Sequence, residues 1–319
     1  MRAAIQALRF PGIMALAVTC FAIAANSASA QQPHRELLRQ KLQRDLVAIA
    51  DSFDGVLGAQ IIDLTDNSRV GINDALIFPQ GSAIKIPILI ELFRQAETRP
   101  DLLVERRPVT ARVQTGGSGV IRHFADSASA LALEDLAVLM IVLSDNTATN
   151  MLIDELGMEA VNRTLARLGV RHTRLQRRMI RPDASARGEE NLSTPAEAAQ
   201  LMARLARCEL PVSGAACRRI REILELPKGG PVRAPIPGDV AVAFKPGGIE
   251  GVETVWALVA LPDRPYALAV MTNYGGPRAG RQDPIRRVSE VAYGDFYKLA
   301  RATPYGTRVP LEVIRRPPP

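Results

Sequence analysis

The sequence predicts an α+β protein: an antiparallel sheet, flanked by helices and interrupted by an inserted all-helical subdomain. Strand-like segments lie near both ends of the chain, and the region between them has mostly helical periodicity. Strands at both ends with helices between them indicate one α/β unit built from both termini. We therefore expect the α/β part in residues 31–97 and 228–305 and the helical part in residues 98–227, together forming one catalytic domain, 31–305.

The elements before the insertion follow from local patterns. Apolar residues at helical spacing between Leu37 and Ile49 predict a first, amphipathic helix. The segment "GVLGAQIIDLTDNSRVGIN" then predicts two strands joined by a polar turn at residues 65–68. A helix is expected from Ser82 to about Glu97.

Two later segments, "ALEDLAVLMIVLS" and "STPAEAAQLMARLARC", are the clearest helices of the insertion. In the second, Ser193 or Thr194 is expected to cap the helix, with Pro195 in its first turn. The segments "VAVAFKPG", "VETVWALVAL" and "YALAVMTNY" predict three strands. A last helix is expected in "PIRRVSEVAYGDFYKLA".

Residues 1–30 have the features of a signal peptide. Arg2 and Arg9 precede a short apolar run, and "SASA" places small residues before a cleavage point after Ala30. The run is shorter than the ~20 residues that a spanning helix needs, so no stable membrane span is expected after signal removal. Lipidation at Cys20 is the alternative, against which the bulky Thr19 argues. We expect a secreted, periplasmic protein that ends in a Pro/Arg-rich tail, residues 306–319.

Composition limits the partners. The formal net charge is +7, but only 4% of the 319 residues are aromatic. Base-stacking surfaces are hard to build from so few rings, so a solvated basic surface is favoured over nucleic-acid binding. No Walker loop and no zinc-type cysteine spacing occurs in the sequence, and no cofactor or metal is expected. We expect a monomer that acts on a small molecule.

Cys208 and Cys217 lie in "CELPVSGAAC". An exported protein can keep a disulfide, and a bridge here would close a loop of roughly ten residues, worth about 2–3 kcal/mol by the chain-entropy model. The alternative is two small buried side chains that never meet. The turn between them, which contains proline and glycine, favours the bridge.

Lys85 lies within the apolar run "GSAIKIPILIELF", three residues after Ser82. That spacing places the two side chains on one helix face. Burial would lower the pKa of the lysine, and a neutral amine beside a hydroxyl can take its proton. The alternative is a lysine that extends to the surface. S-x-x-K alone is a weak signal.

Two further motifs make the signal specific. "SDNTATN" contains Ser144, Asp145 and Asn146, and "KPGG" begins at Lys245. S-x-x-K, S-D-N and K-[TS]-G in this order are typical of penicillin-recognising serine enzymes. The sequence resembles the class A β-lactamase family over nearly all of residues 35–300, also in "GGSGVIRHF", "ENLSTPAE" and "VRAPIP". This resemblance implies the β-lactamase/transpeptidase-like fold, β-lactam catabolism and antibiotic resistance.

The resemblance also implies residue roles. Ser82 would be the acylated nucleophile, and Lys85 the base that activates it. Ser144 would relay a proton to the leaving nitrogen with the help of Lys245. Asp145 would order its loop rather than touch the substrate.

The remaining implied roles concern substrate binding. The backbone N–H groups of Ser82 and Gly248 would form the oxyanion hole. Asn146 and Gly247 would bind the substrate. Arg233 in "VRAPIP" would meet the substrate carboxylate, or would be an ordinary exposed arginine.

Two positions depart from the family pattern. Pro246 replaces the usual Thr or Ser and offers neither a hydroxyl nor an N–H to a carboxylate. Met179 lies where the family has the glutamate that primes the deacylating water. Asp183, four residues on, is the nearest carboxylate and a possible substitute.

Acylation and deacylation are separate steps, and three functions remain open. The first is a serine β-lactamase with another water-priming group. The second is an esterase or cell-wall peptidase. The third is a penicillin-binding, sensor-like protein that stays acylated. A β-lactam or a peptide resembling the cell wall is the expected ligand.

Overall fold

The computed structural model describes residues 32–276, 278–303 and 306–308. Before the insertion they form a helix, a hairpin, a short strand, a 3₁₀ helix and a second helix. These are α1 (Gln32–Asp51), β1 (Val56–Asp63), β2 (Arg69–Ile72), β3 (Phe78–Pro79), the 3₁₀ helix Gly81–Ile84 and α2 (Lys85–Ala96). The predicted hairpin and the helix beginning near Ser82 are confirmed. The predicted signal peptide, Cys20 and tail residues 309–319 lie outside the described residues.

The insertion contains six α-helices among its described residues. They are α3 (Leu133–Val142), α4 (Asn146–Leu156), α5 (Met158–Arg167), α6 (Pro182–Ala186), α7 (Pro195–Ala206) and α8 (Gly214–Glu225). Thr194, not Ser193, caps α7, because its hydroxyl accepts a hydrogen bond from the backbone N–H of Glu197 at 3.1 Å.

The insertion is not all-helical, contrary to the prediction. Strands β4 (Arg106–Val109) and β5 (Ser129–Ala132) pair with each other, and β6 (Leu192–Ser193) pairs with β3. Each is too short for a period-two pattern to stand out in the sequence. The β3–β6 pair matters for the site, because it joins the end of a long loop to the segment just before Ser82.

After the insertion, the chain forms three long strands and a helix. These are β7 (Val242–Ile249), β8 (Val252–Val259), β9 (Tyr266–Asn273) and α9 (Arg278–Ala300), followed by the short pair β10 (Ala302–Thr303) and β11 (Gly306–Thr307). Together with the first hairpin they form a five-stranded antiparallel sheet in the order β2-β1-β9-β8-β7. The predicted antiparallel sheet, built from both ends of the chain, is confirmed.

Alternate residues of β8 face two separate cores. Trp256 and Leu258 pack in the core shared with the inserted helices, whereas Val255 and Ala257 pack in the core covered by α1 and α9. Both faces are covered, which explains why "VETVWALV" is apolar almost throughout. Within the described ranges, no helix combines the length and apolarity needed to cross a membrane.

Cys208 and Cys217 form the predicted disulfide, with their Cα atoms 5.7 Å apart. The bridge ties the loop after α7 to α8. Replacing both cysteines by serine is expected to lower the free energy of unfolding by about 2–3 kcal/mol, since the unfolded chain loses a cross-link. Chemical denaturation of both proteins measures the change. Thiol titration of the unfolded, unreduced exported protein should find no free thiol, and two titratable thiols would contradict the bridge.

Candidate active site

The 3₁₀ helix Gly81–Ile84 brings Ser82 against the edge strand β7. Gly81 has φ +50°, and a side chain there would place its Cβ 2.7 Å from the backbone nitrogen of Gly248. Glycine is therefore required by both the backbone conformation and the close approach. The consequence is that the backbone of Ser82 lies beside that of Gly248.

Lys85 does not extend to the surface: it is fully buried (0% exposed). Its Nζ donates hydrogen bonds to the carbonyl of Ser144 at 2.8 Å, the hydroxyl of Ser144 at 3.1 Å and Oδ1 of Asn146 at 3.0 Å. Burial, and then the nearby charge of Lys245, lower the pKa of Lys85 well below its ordinary value. Among the described residues, the amine makes no hydrogen bond to Ser82, so its observed hydroxyl partner is Ser144.

Lys245 lies on the other side of Ser144. Its Nζ donates to the Ser144 hydroxyl at 3.1 Å and to the Pro246 carbonyl at 2.9 Å. Burial, and then the nearby charge of Lys228, lower the pKa of Lys245 to about 7. The Ser144 hydroxyl thus bridges two buried amines, and this contiguous chain can carry a proton.

The buried amine of Lys245 predicts a pH-dependent stability. The pKa of the Lys245 amine is about 7 in the folded protein and 10.5 ordinarily. Between these two pH values the amine therefore binds more protons in the unfolded chain than in the folded chain. The free energy of unfolding of the parent should therefore rise with pH across this window. Lys245→Met lacks this amine and therefore lacks this gain. Its free energy of unfolding minus that of the parent should fall by on the order of 2–4 kcal/mol between pH 6 and pH 10. Chemical denaturation at both pH values measures this, and a pH-independent difference would contradict it.

Two neighbouring cavities of about 710 Å³ each share Ser82, Ser118 and Gly248. The first, here called the lysine-side cavity, is also lined by Ser144, Lys245, Pro246, Gly247, Glu253, Asp283 and Arg286. The second, the loop-side cavity, is also lined by Asn146, Arg177, Met179, Ile180, Glu190 and Glu250. The structure thus brings Ser82, Ser144 and Lys245 to one opening, with Lys85 buried behind Ser144.

Strand β7 presents its backbone to the cavities. A Cβ on Gly247 would lie 2.3 Å from the Gln80 carbonyl oxygen, and a Cβ on Gly248 would lie 2.9 Å from the Glu253 carboxylate. Position 247 therefore requires glycine, whereas a side chain at position 248 would require the end of the Glu253 side chain to shift. Pro246 has no backbone N–H to donate to a neighbouring strand. It is tolerated because β7 is an edge strand and pairs with another strand on one side only.

Asp145 orders the loop before the site. Its buried carboxylate accepts hydrogen bonds from the backbone N–H groups of Val120 at 2.7 Å, Ile121 at 2.9 Å and Ala148 at 2.9 Å. Those bonds cap α4 and hold Asn146, whose side chain is bonded to Lys85 and to the Gly116 carbonyl. Asn146 still lines the loop-side cavity.

The loop of residues 176–191 brings Met179, not Asp183, to the cavity. Met179 is 6% exposed, and its backbone exchanges hydrogen bonds with the Asn150 side chain at 2.8 and 3.2 Å. Asp183 has a side chain 51% exposed and paired with Arg181 at 2.8 Å, which lowers its pKa. In the described structure, Asp183 lines neither cavity.

Sequence reasoning missed Glu190, the carboxylate of this loop that does line the cavity. It pairs with Arg177 at 2.6 Å, and both side chains are largely buried. The pairing of Arg174 with Leu192 folds the loop's end back toward the site. This long-range contact leaves no local signal in the sequence.

Arg233 is not among the described residues lining either cavity; its guanidinium donates to the carbonyl of Ile236 in its own loop. Arg286 of α9 lines the lysine-side cavity instead, paired with Asp283 and Glu290. Sequence reasoning missed it because those i±3/4 pairs are typical of a solvated helix face.

Comparisons with known proteins indicate one family. The model of the beta-lactamase enzyme family matches residues 39–296. A beta-lactamase of Citrobacter koseri is 25% identical over 258 residues, which are 79% of this chain and 87% of that protein.

Solved structures are similar over most of the chain. The structure of a beta-lactamase from Sphaerobacter thermophilus has a TM-score of 0.73 at 29% identity, covering 80% of this chain and 97% of that one. A leucine-to-glutamate variant of PBP-A, solved as an acyl-enzyme complex with penicillin G, has a TM-score of 0.73 at 26% identity. The match covers 82% of this chain and 97% of the PBP-A chain.

Proposed function

The chain belongs to the beta-lactamase enzyme family, and from that premise we propose an exported, periplasmic serine hydrolase that opens β-lactam amides through a Ser82 acyl-enzyme and deacylates slowly. The observation that supports this most is the hydrogen-bonded chain from Lys85 through Ser144 to Lys245 beside the cavity that contains Ser82. Two buried amines with lowered pKa values supply a base without histidine.

Acylation proceeds by addition of Ser82 Oγ to the lactam carbonyl carbon. The neutral Lys85 amine takes the hydroxyl proton, in a contact that tightens when substrate binds. The N–H groups of Ser82 and Gly248 bind the developing oxyanion. When the C–N bond breaks, the Ser144 hydroxyl protonates the leaving nitrogen and recovers a proton from Lys85, 3.1 Å away. Asn146 and Gly247 hold the substrate.

Deacylation is the slow step because Met179 offers no oxygen or nitrogen to a water. Glu190 is a carboxylate in the same cavity, but it is engaged by Arg177, whose guanidinium donates to Glu190 Oε2 at 2.6 and 3.1 Å. Asp183 lines neither cavity and is paired with Arg181. The acyl ester therefore persists.

A second candidate is a penicillin-binding, sensor-like protein that never releases the acyl group. Met179 and the likeness to PBP-A, whose variant was solved as an acyl-enzyme with penicillin G, favour it. Stopped-flow mixing with a chromogenic β-lactam separates the candidates. We expect a burst of one equivalent followed by a slow steady rate. A burst with no later turnover supports the second candidate, and rapid linear turnover without a burst contradicts slow deacylation.

A further inference from the structure

Gln80 lies two residues before Ser82 and is fully buried between the 3₁₀ helix and the sheet. Its side-chain oxygen accepts a hydrogen bond from Nε1 of Trp256 at 2.9 Å. Its side-chain nitrogen donates to the Phe78 carbonyl at 2.8 Å and contacts Sδ of Met271 at 3.2 Å. An indole N–H only donates, so this partner fixes which amide atom is oxygen.

The backbone of Gln80 is held as firmly as its side chain. Its carbonyl accepts from the Thr254 hydroxyl at 2.8 Å and from the backbone N–H of Ala83 at 3.1 Å. Its N–H donates to the carbonyl of Asn191, at the end of the loop that contains Met179, at 2.8 Å. One residue thus joins the 3₁₀ helix to β8 and to that loop.

The oxyanion donors assigned above lie on different elements. One is the N–H of Ser82 in the 3₁₀ helix, and the other is the N–H of Gly248 in β7. Strand β7 is held by β8, in a register that places Gly247 opposite Thr254 and Lys245 opposite Trp256. The distance between the donors therefore depends on how the 3₁₀ helix is attached to Thr254 and Trp256.

We propose that Gln80, through its bonds to Trp256 and Thr254, is a positioning residue that fixes the spacing of the two oxyanion donors. The inference rests on the proposed function. A buried amide is costly unless it is fully hydrogen-bonded, and an apolar side chain would fill this position at lower cost if packing were its only role. Misplacing a reacting group by about 1 Å can cost 10²-fold in rate.

The test uses Gln80→Met and Trp256→Phe, each of which removes the indole–amide bond while keeping the volume approximately constant. We expect acylation by a penicillin to slow about 10- to 100-fold in each. Affinity for a boronic acid, which forms a tetrahedral adduct on the serine, should fall in parallel. The double variant should lose little more than the worse single variant, because both remove one interaction.

Ile285→Val is the control for stability alone, since Ile285 packs in the core on the far side of the sheet. It should lower the melting temperature and leave the acylation rate and boronate affinity unchanged. If Gln80→Met does not fold, Trp256→Phe and Thr254→Val continue the test.

Two failures are distinguishable. A parent protein that forms no adduct on Ser82 overturns the proposed function and this inference with it. Folded variants that acylate at the parental rate and bind the boronate as tightly overturn this inference alone.

Discussion

Replacing Lys85 by methionine is expected to slow acylation of Ser82 by about 10²- to 10⁴-fold, the usual contribution of a general base. Methionine keeps most of the bulk but removes the amine that lies 3.1 Å from the Ser144 hydroxyl. The proton of Ser82 then loses the acceptor assigned to it. The rate of adduct formation under single-turnover conditions measures the effect.

A purely structural lysine predicts a different result. The buried Lys85 side chain makes three hydrogen bonds, so its loss could weaken the fold without changing the chemistry. In that case the folded fraction of Lys85→Met would acylate at the parental rate. Lys41→Met, on the exposed side of α1, is a matched lysine replacement that should change neither stability nor rate by much.

Replacing Met179 by glutamate is expected to raise the steady turnover rate by about 10²- to 10⁴-fold, which corresponds to about 3–5 kcal/mol in the barrier. Met179 is buried and lines the loop-side cavity with Ser82. Its backbone N–H and carbonyl are both hydrogen-bonded to the Asn150 side chain. A carboxylate there can hold and deprotonate a water beside the acyl ester. The burst should shrink as deacylation overtakes acylation.

Controls in the same loop sharpen this result. Asp183→Asn should leave the steady rate of the parent unchanged, because that side chain pairs with Arg181 and lines neither cavity. Glu190→Gln tests whether the carboxylate beside Arg177 supports the residual turnover. An unchanged steady rate in a folded Met179→Glu variant would contradict the role assigned to this position.

Much of the fold could be predicted because its signals are local. The polar turn between β1 and β2 and the caps around α7 lie within short stretches of sequence. The small strands of the insertion could not be predicted, since β3 pairs with β6 across a long stretch of chain. Their pairing depends on tertiary packing rather than on propensity.

In the candidate site too, the features encoded by local sequence could be predicted and those that depend on tertiary contacts could not. The spacing of Ser82 and Lys85 predicts a shared helix face, and burial of Lys85 follows from the apolar run around it. Its hydrogen bond to Ser144 depends instead on how the start of α4 docks against α2, which no local spacing encodes. Glu190 reaches the cavity through contacts at the loop's ends for the same reason.

The most direct test of the central claim is a time course of intact mass after mixing the protein with a penicillin. We expect an increase of one penicillin mass that appears quickly, decays slowly, and maps to the peptide containing Ser82. Ser82→Ala should show no adduct. An adduct on another peptide, or one that persists in Ser82→Ala, would contradict the serine acyl-enzyme, as would turnover of the penicillin by Ser82→Ala at the parental rate.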